Sequence, residues 1–459
     1  SGPLTGRLIP GHTSWFHFLC PGTIKLPFRL NPRDSRKPLL PMLSTRRNLF
    51  DVSLFVGYLV SLLRALTAKA VTPALCRPVC AFLGSLALVD HSAFLASRGD
   101  VYGYMTVCLA AGVPVLGAQL CQLAIYFWAG FSKLGPWFKH VIQAMLSNSP
   151  VFPSQFRKFL YRDLQAHDFQ PTALASGLAQ LGAGLEAAIP ALLPWGGIWS
   201  KLGLFGALNL HGFIFANFAI GCPQEWNIFT PLAVYHLFLD ASNGVDGRAL
   251  RSLPSRHPLL AAFLGFVLGI VPAVGNAIPQ TNSFLTSMKY YAGNWPSTVW
   301  LVKRSAVHKL QKIRTLSEPF PKQAANLFGE QVGYESVLKV YAFRALHLPY
   351  RCLPMLLEKA LQGKPFQDYE YADGETMAGV ILGYNFGDGY LHGRFMVQAV
   401  QDVCNFERGE LLHICIDSCP TLGDKVPWFV RDATRLWNDS DAIAIGQTSL
   451  QELQAMQPY

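Results

Sequence analysis

Charge is what this chain has least of. Asp, Glu, Lys and Arg make up 14% of its 459 residues, against roughly 25% in ordinary soluble domains. Hydrophobic residues reach 51%, so lipid rather than water is expected to solvate part of the chain. Other signatures are missing too. There is no C-x-x-C pair among the ten cysteines, which removes the usual zinc-ligand spacing and leaves the thiols as small buried apolar groups. No G-x-x-x-x-G-K-[ST] occurs, which excludes a P-loop. No internal repeat is visible. The chain begins at Ser1 rather than Met, so a native N-terminal segment with any signal or transit peptide is expected to be missing.

What charge there is sits at the ends. The net charge is +10, but the basic residues do not form the stripe a nucleic-acid binder needs. Lys25, Arg29, Arg33, Arg36, Lys37, Arg46 and Arg47 precede the first apolar run, and Lys303, Arg304, Lys309, Lys312 and Arg314 follow the last. This is the distribution of the positive-inside rule. It places both groups on the cytosolic or stromal side, against anionic lipid. Membrane lipids are the expected partners, and nucleic acid is not.

The pattern divides the chain into a basic membrane-surface arm (1–48), a helical membrane domain (49–302) and a C-terminal α+β soluble domain (303–459). The expected fold is an all-α polytopic membrane bundle carrying that small domain. Val101–Ser132 has no charged residue. At 1.5 Å per residue one helix of that length is about 48 Å, too long for a core of roughly 30 Å. Pro114 is expected to divide it, leaving a span near 115–133. Further spans are expected at 172–193, 202–220 and 257–276. Weaker ones fall at 50–68, 78–96, 229–241 and 284–302, giving five to eight crossings. In the tail, 334–346 and 350–361 read as helices, and 379–384 and 411–417 as strands. The segment 392–404 reads as a helix with Phe395, Met396, Ala399, Val400 and Val403 on one face.

Three ionisable residues fall inside the apolar runs, where such residues are functional hypotheses by default. Lys133 lies within 126-YFWAGFSKLGPWF-138, sharing a helix side with Tyr126 and Gly130. Either its stem reaches outward to the headgroups, or it faces a dry interior that favours a free amine able to act as a base. Glu186 lies well inside 172–194, four residues before Pro190, where a kink is expected. His211 sits among Gly206, Ala207, Gly212 and Ala216, small residues that permit close helix approach. The expected catalytic set is Lys133, Glu186 and His211. Tyr126, Trp137, Glu225 and Trp226 are the expected substrate contacts, and no metal ligands are expected. In 382-LGYNFGDGYLH-392, a strand is expected to enter a glycine-rich turn. Asn385 and Asp388 belong to that turn, and a helix starts near His392.

Taken in order, Y-F-x-A-G-x-x-K-L, a membrane Glu, L-H and C-P-x-E-W resemble the membrane domain of the vitamin K-dependent γ-glutamyl carboxylase (HTTM-like) superfamily over about residues 100–230. The resemblance implies that Lys133 corresponds to the lysine proposed there to deprotonate a hydroquinone. It makes a quinone or quinol the implied cofactor or substrate. The carboxylase histidine ahead of the lysine has no full counterpart: 98-RGDVYGY-104 shares its Y-G and His91 its H-S. A wider resemblance runs along nearly the whole chain. P-G-T-I-K-L-P-F (21–28), T-R-R-N (45–48), S-N-S-P (147–150), Y-Y-A-G-N-W (290–295) and N-F-G-D-G-Y-L-H (385–392) are similar to motifs of a multi-pass membrane family known from actinobacteria, domain of unknown function 3556. That resemblance implies a membrane location and names no activity.

Two classes of function follow. One is a membrane enzyme acting on a quinol or other lipid-soluble substrate, with Lys133 as base. The other is a non-catalytic lipid binder or scaffold whose C-terminal domain recruits a soluble protein. A transporter is a third class, although no paired inverted halves are visible. Whether the Lys133 amine meets another buried polar group separates the first two.

Overall fold

The computed structural model describes residues 15–29, 39–40, 43–147, 149, 151–217, 222–290, 292–316, 322, 324–326, 329–384 and 389–458. Among the described residues four helices are long and apolar enough to cross a membrane: α1 (Leu49–Thr67), α4 (Pro114–Ser132), the run Ala173–Trp195 that begins as α6 (Ala173–Leu192), and α9 (Pro258–Ala277). α2 (Pro73–Val89) is a shorter apolar helix. Between them lie α3 (Tyr102–Ala110), α5 (Phe138–Ser147), α7 (Gly197–Asn217) and α8 (Cys222–Tyr235).

These boundaries follow from local chemistry. Asn48 caps α1 through a reciprocal bond with Asp51, satisfying donors that a helix start leaves free. Gly112 at φ +77° turns the chain after α3, and Pro114 opens α4 at a position where its missing N–H costs nothing. The uncharged run is therefore divided at Pro114, as expected. Pro190 does not end α6, which continues to Leu192. α7 is not among these spans, and Lys201, Asn209 and His211 lower its hydropathy.

A five-stranded antiparallel sheet forms the C-terminal part, in the order β4-β3-β5-β6-β7. Its strands are β3 (Ser297–Lys303), β4 (Tyr369–Asp373), β5 (Leu411–Ile416), β6 (Lys425–Asp432) and β7 (Ala444–Ser449). A two-stranded hairpin of β1 (Tyr161–Asp163) and β2 (Asp168–Pro171) joins α5 to α6. Two expectations change here. The 284–302 segment is not a span: it ends in β3, the strand between β4 and β5. The 379–384 segment is not a strand, because Gly374–Leu382 is a helix. Asp373 accepts from the Thr376 N–H at its start, and Gly383 at φ +73° closes it. The helix Arg394–Cys404 and β5 stand where they were expected.

β3 is buried on both faces. Trp300 and Val302 share a core with Phe18, Ile24, Phe55 and Met396. Val299 and Leu301 share another with Trp137 and Val141. Three of the N-terminal basic residues are drawn inward as well, while Arg46 is exposed. Lys25 pairs with Asp51, Arg47 pairs with Asp90, and Arg29 lies 3.9 Å over the Phe395 ring. These three cations are buried and do not face headgroups. Arg33, Arg36 and Lys37 lie outside the described residues.

Candidate functional site

α4 presents one face to a cavity of about 470 Å³ whose wall is mostly apolar. Four of its residues that line this cavity, Gln122, Tyr126, Ala129 and Lys133, recur at intervals of one turn or its multiples. α6 adds Leu178, Gly182 and Glu186 to the lining, and α7 adds His211 and Ile214. The approach of α4 to α6 depends on Gly130. A Cβ there would lie 3.2 Å from the Ala187 backbone nitrogen. The missing side chain lets the residue next to Ala187, Glu186, reach the end of α4.

Lys133 is the C-cap of α4 and is 7% exposed. Its Nζ lies 2.7 Å from Glu186 Oε2 and donates to the carbonyls of Ala129 at 3.1 Å and Tyr290 at 2.9 Å. An ammonium has three donors and no acceptor, and here all three have partners. The lysine is therefore interior, and the outward-reaching alternative does not hold.

His211 belongs to a second polar group on the same wall. Its Nδ1 lies 2.7 Å from Asn227 Oδ1 and its Nε2 2.8 Å from the Tyr126 hydroxyl. An amide oxygen only accepts, so Nδ1 carries the proton and Nε2 accepts from Tyr126. Of the small residues expected to seat this helix, Ala207 is buried, and a Cβ on Gly206 would lie 3.3 Å from Leu185. Gly212 faces open space.

A third group lay outside the sequence expectations. Arg98 Nε donates to Asp100 Oδ1 at 3.2 Å, and the Tyr290 hydroxyl donates to Asp100 Oδ2 at 2.8 Å. The Arg98 guanidinium stacks 4.6 Å over the Trp226 ring. The signal was present in 98-RGD-100, an opposite-charge pair two residues apart just ahead of the uncharged run. Gln122 and Asn227 were also missed, because neutral amides in apolar helices carry no charge to mark them.

The structure thus brings Lys133, Glu186, His211, Tyr126 and Trp226 to one cavity. Trp137 is not at that wall. It is fully buried in the adjoining core, and its indole N–H bonds the Ser132 carbonyl at 2.9 Å. Glu225 does not line the cavity but lies within electrostatic reach of Arg98 and Tyr102. His392 lies in the sheet region with its Nδ1 2.8 Å from Thr298 Oγ1. Asn385 and Asp388 lie outside the described residues. Among the described residues no cluster of His, Cys, Asp and Glu is arranged to hold a metal ion.

Spanning helices, a helix-walled apolar cavity and an α+β C-terminal region define a polytopic integral membrane protein. More particularly, the chain belongs to the family described as transmembrane protein of unknown function (DUF3556), whose model matches residues 1–459. No curated protein and no solved structure matches the chain.

Proposed function

We propose that the cavity binds a lipid-soluble substrate with a weakly acidic hydroxyl and that the Lys133–Glu186 pair removes its proton. A quinol is the class suggested by the resemblance of the 100–230 region to the carboxylase superfamily. The observation that carries this reading is the 2.7 Å lysine–glutamate contact at the wall of an apolar cavity. Desolvating two opposite charges is costly, and ionisable residues at membrane depth mark substrate or proton paths.

Lys133 acts as base by way of Glu186. The ammonium first passes a proton to the carboxylate, giving a neutral amine and a neutral acid. A dry site narrows the gap between the ionic and neutral forms of such a pair. The amine then takes the substrate proton, which restores the ammonium beside the new oxyanion and leaves Glu186 protonated. No isolated charge forms at any stage. Tyr126 donates to His211, so its oxygen keeps a lone pair to orient the substrate hydroxyl.

The oxyanion is the form of a quinol that dioxygen oxidises, giving quinone and hydrogen peroxide. Turnover of reduced quinones with dioxygen as the oxidant, by the full chain in lipid nanodiscs, therefore tests the scheme. Lys133→Ala is expected to lower it by at least about 10²-fold, the usual share of general acid–base catalysis. Unchanged turnover removes the mechanism.

The saturated donors of Lys133 favour a second reading, since an ammonium with every hydrogen bonded is also a stable structural element. In it the bundle binds lipid without chemistry, and the C-terminal region recruits a soluble protein. The wild-type chain then shows no turnover, while mass spectrometry of its lipid extract finds a retained ligand.

A further inference from the structure

Gln122 is fully buried at the cavity wall, and neither its amide nitrogen nor its amide oxygen has a hydrogen-bond partner among the described residues. Arg98 Nη1, at the same cavity, is unpartnered as well. Buried amides are nearly always satisfied, and a chain that needed only packing here would carry an apolar residue. An amide offers both a donor and an acceptor, whereas a guanidinium offers donors alone. Their complement is a molecule with a hydroxyl or carbonyl at Gln122 and a further oxygen at Arg98.

Helix geometry sets the spacing. Gln122 lies one turn before Tyr126, about 6 Å along the axis. The Lys133 amine bends back to the Ala129 carbonyl, about 10 Å beyond Gln122 on the same axis. The polar points therefore form a line along α4 within a mostly apolar lining. A plain acyl chain satisfies none of them, and a single hydroxyl satisfies only one end.

We infer that Gln122, with Arg98, is a specificity-determining residue that recognises an oxygen-substituted ring lipid, one bearing oxygens on more than one edge of its head. This deepens the proposed function and rests on that reading for the reacting hydroxyl. Recognition itself is a binding property and is measured without turnover.

The test uses the full chain in nanodiscs and two probes with the same tail, decylubiquinol and 4-decylphenol, with affinity read from tryptophan fluorescence quenching. The wild type is expected to bind decylubiquinol at least about tenfold more tightly, the scale of one buried hydrogen bond. Gln122→Leu and Gln122→Met are expected to bring the two affinities within about twofold, with decylphenol binding unchanged. Two apolar variants separate recognition from misfolding, because both must still bind decylphenol. Retention of the full preference in both variants overturns the inference, as does a wild type that prefers neither probe. Loss of turnover in Lys133→Ala with the preference intact supports both proposals. Intact turnover in that variant with the preference lost in Gln122→Leu defeats the mechanism alone.

Discussion

Lys133 and Glu186 stabilise the bundle only as a pair. Removing the carboxylate leaves a buried ammonium facing two carbonyls, and breaking such a pair costs about 3–5 kcal/mol. Glu186→Leu is therefore expected to lower the thermal unfolding temperature sharply. The double variant Lys133→Met/Glu186→Leu, which buries no charge, is expected to recover most of the loss. A double variant no more stable than the single one would show that the pair does not set the energetics of this wall. Both residues were legible in the sequence as charges inside apolar runs. Their pairing was not, since they lie on different helices and nothing local couples positions 133 and 186. Gln122 shows the limit more plainly: an uncharged amide in a greasy helix looks like packing until its missing partners are seen.

Helices were read best where a backbone rule acted alone. Pro114 divided the uncharged run in sequence and in structure alike, and the structure adds the turn at Gly112. The strand expected at 379–384 came from its apolar Val-Ile-Leu content, but the deciding signals stood on either side, Asp373 as cap and Gly383 as stop. The 284–302 run was read as a span because β3 is buried on both faces, and such a strand lacks the alternation that marks a half-exposed one. Contact between α4 and α6 yields its own test. A Cβ at Gly130 meets Ala187 backbone at 3.2–3.3 Å, so alanine requires a small shift and leucine a large one. Overpacking of this kind costs about 1–3 kcal/mol. Stability is expected to fall in the order Gly, Ala, Leu at position 130, followed by thermal unfolding in detergent. An equal stability for all three would mean that α6 is free to move away.

The whole molecule is less divisible than its composition suggests. The boundary expected at 303 falls on the last residue of β3, and the cores beneath and above that strand draw residues from both halves of the chain. Long-range ion pairs such as Arg47–Asp90 tie the N-terminal segment into the same body, which no local pattern reveals. Burial also sets the response to acid. Desolvation lowers His347 and His413 to about 3 and His392 to about 4, all in the C-terminal part. Between these values and 6.5 the unfolded chain binds protons that the folded chain does not, so stability rises with pH across that window. It is complete above about 6.5 and declines as the pH falls toward 4. At pH 5 the loss is on the order of 1–2 kcal/mol per histidine. Unfolding temperatures measured from pH 8 to 5 check this, and a flat profile would contradict neutral burial of these rings.

Tyr290 lines the cavity and is held at both of its ends. Its carbonyl accepts from Lys133 and its hydroxyl donates to Asp100, while the chain beyond it runs within a few residues into β3. Any change in the backbone at position 290 therefore moves both an acceptor of the buried ammonium and the hydroxyl that holds Asp100.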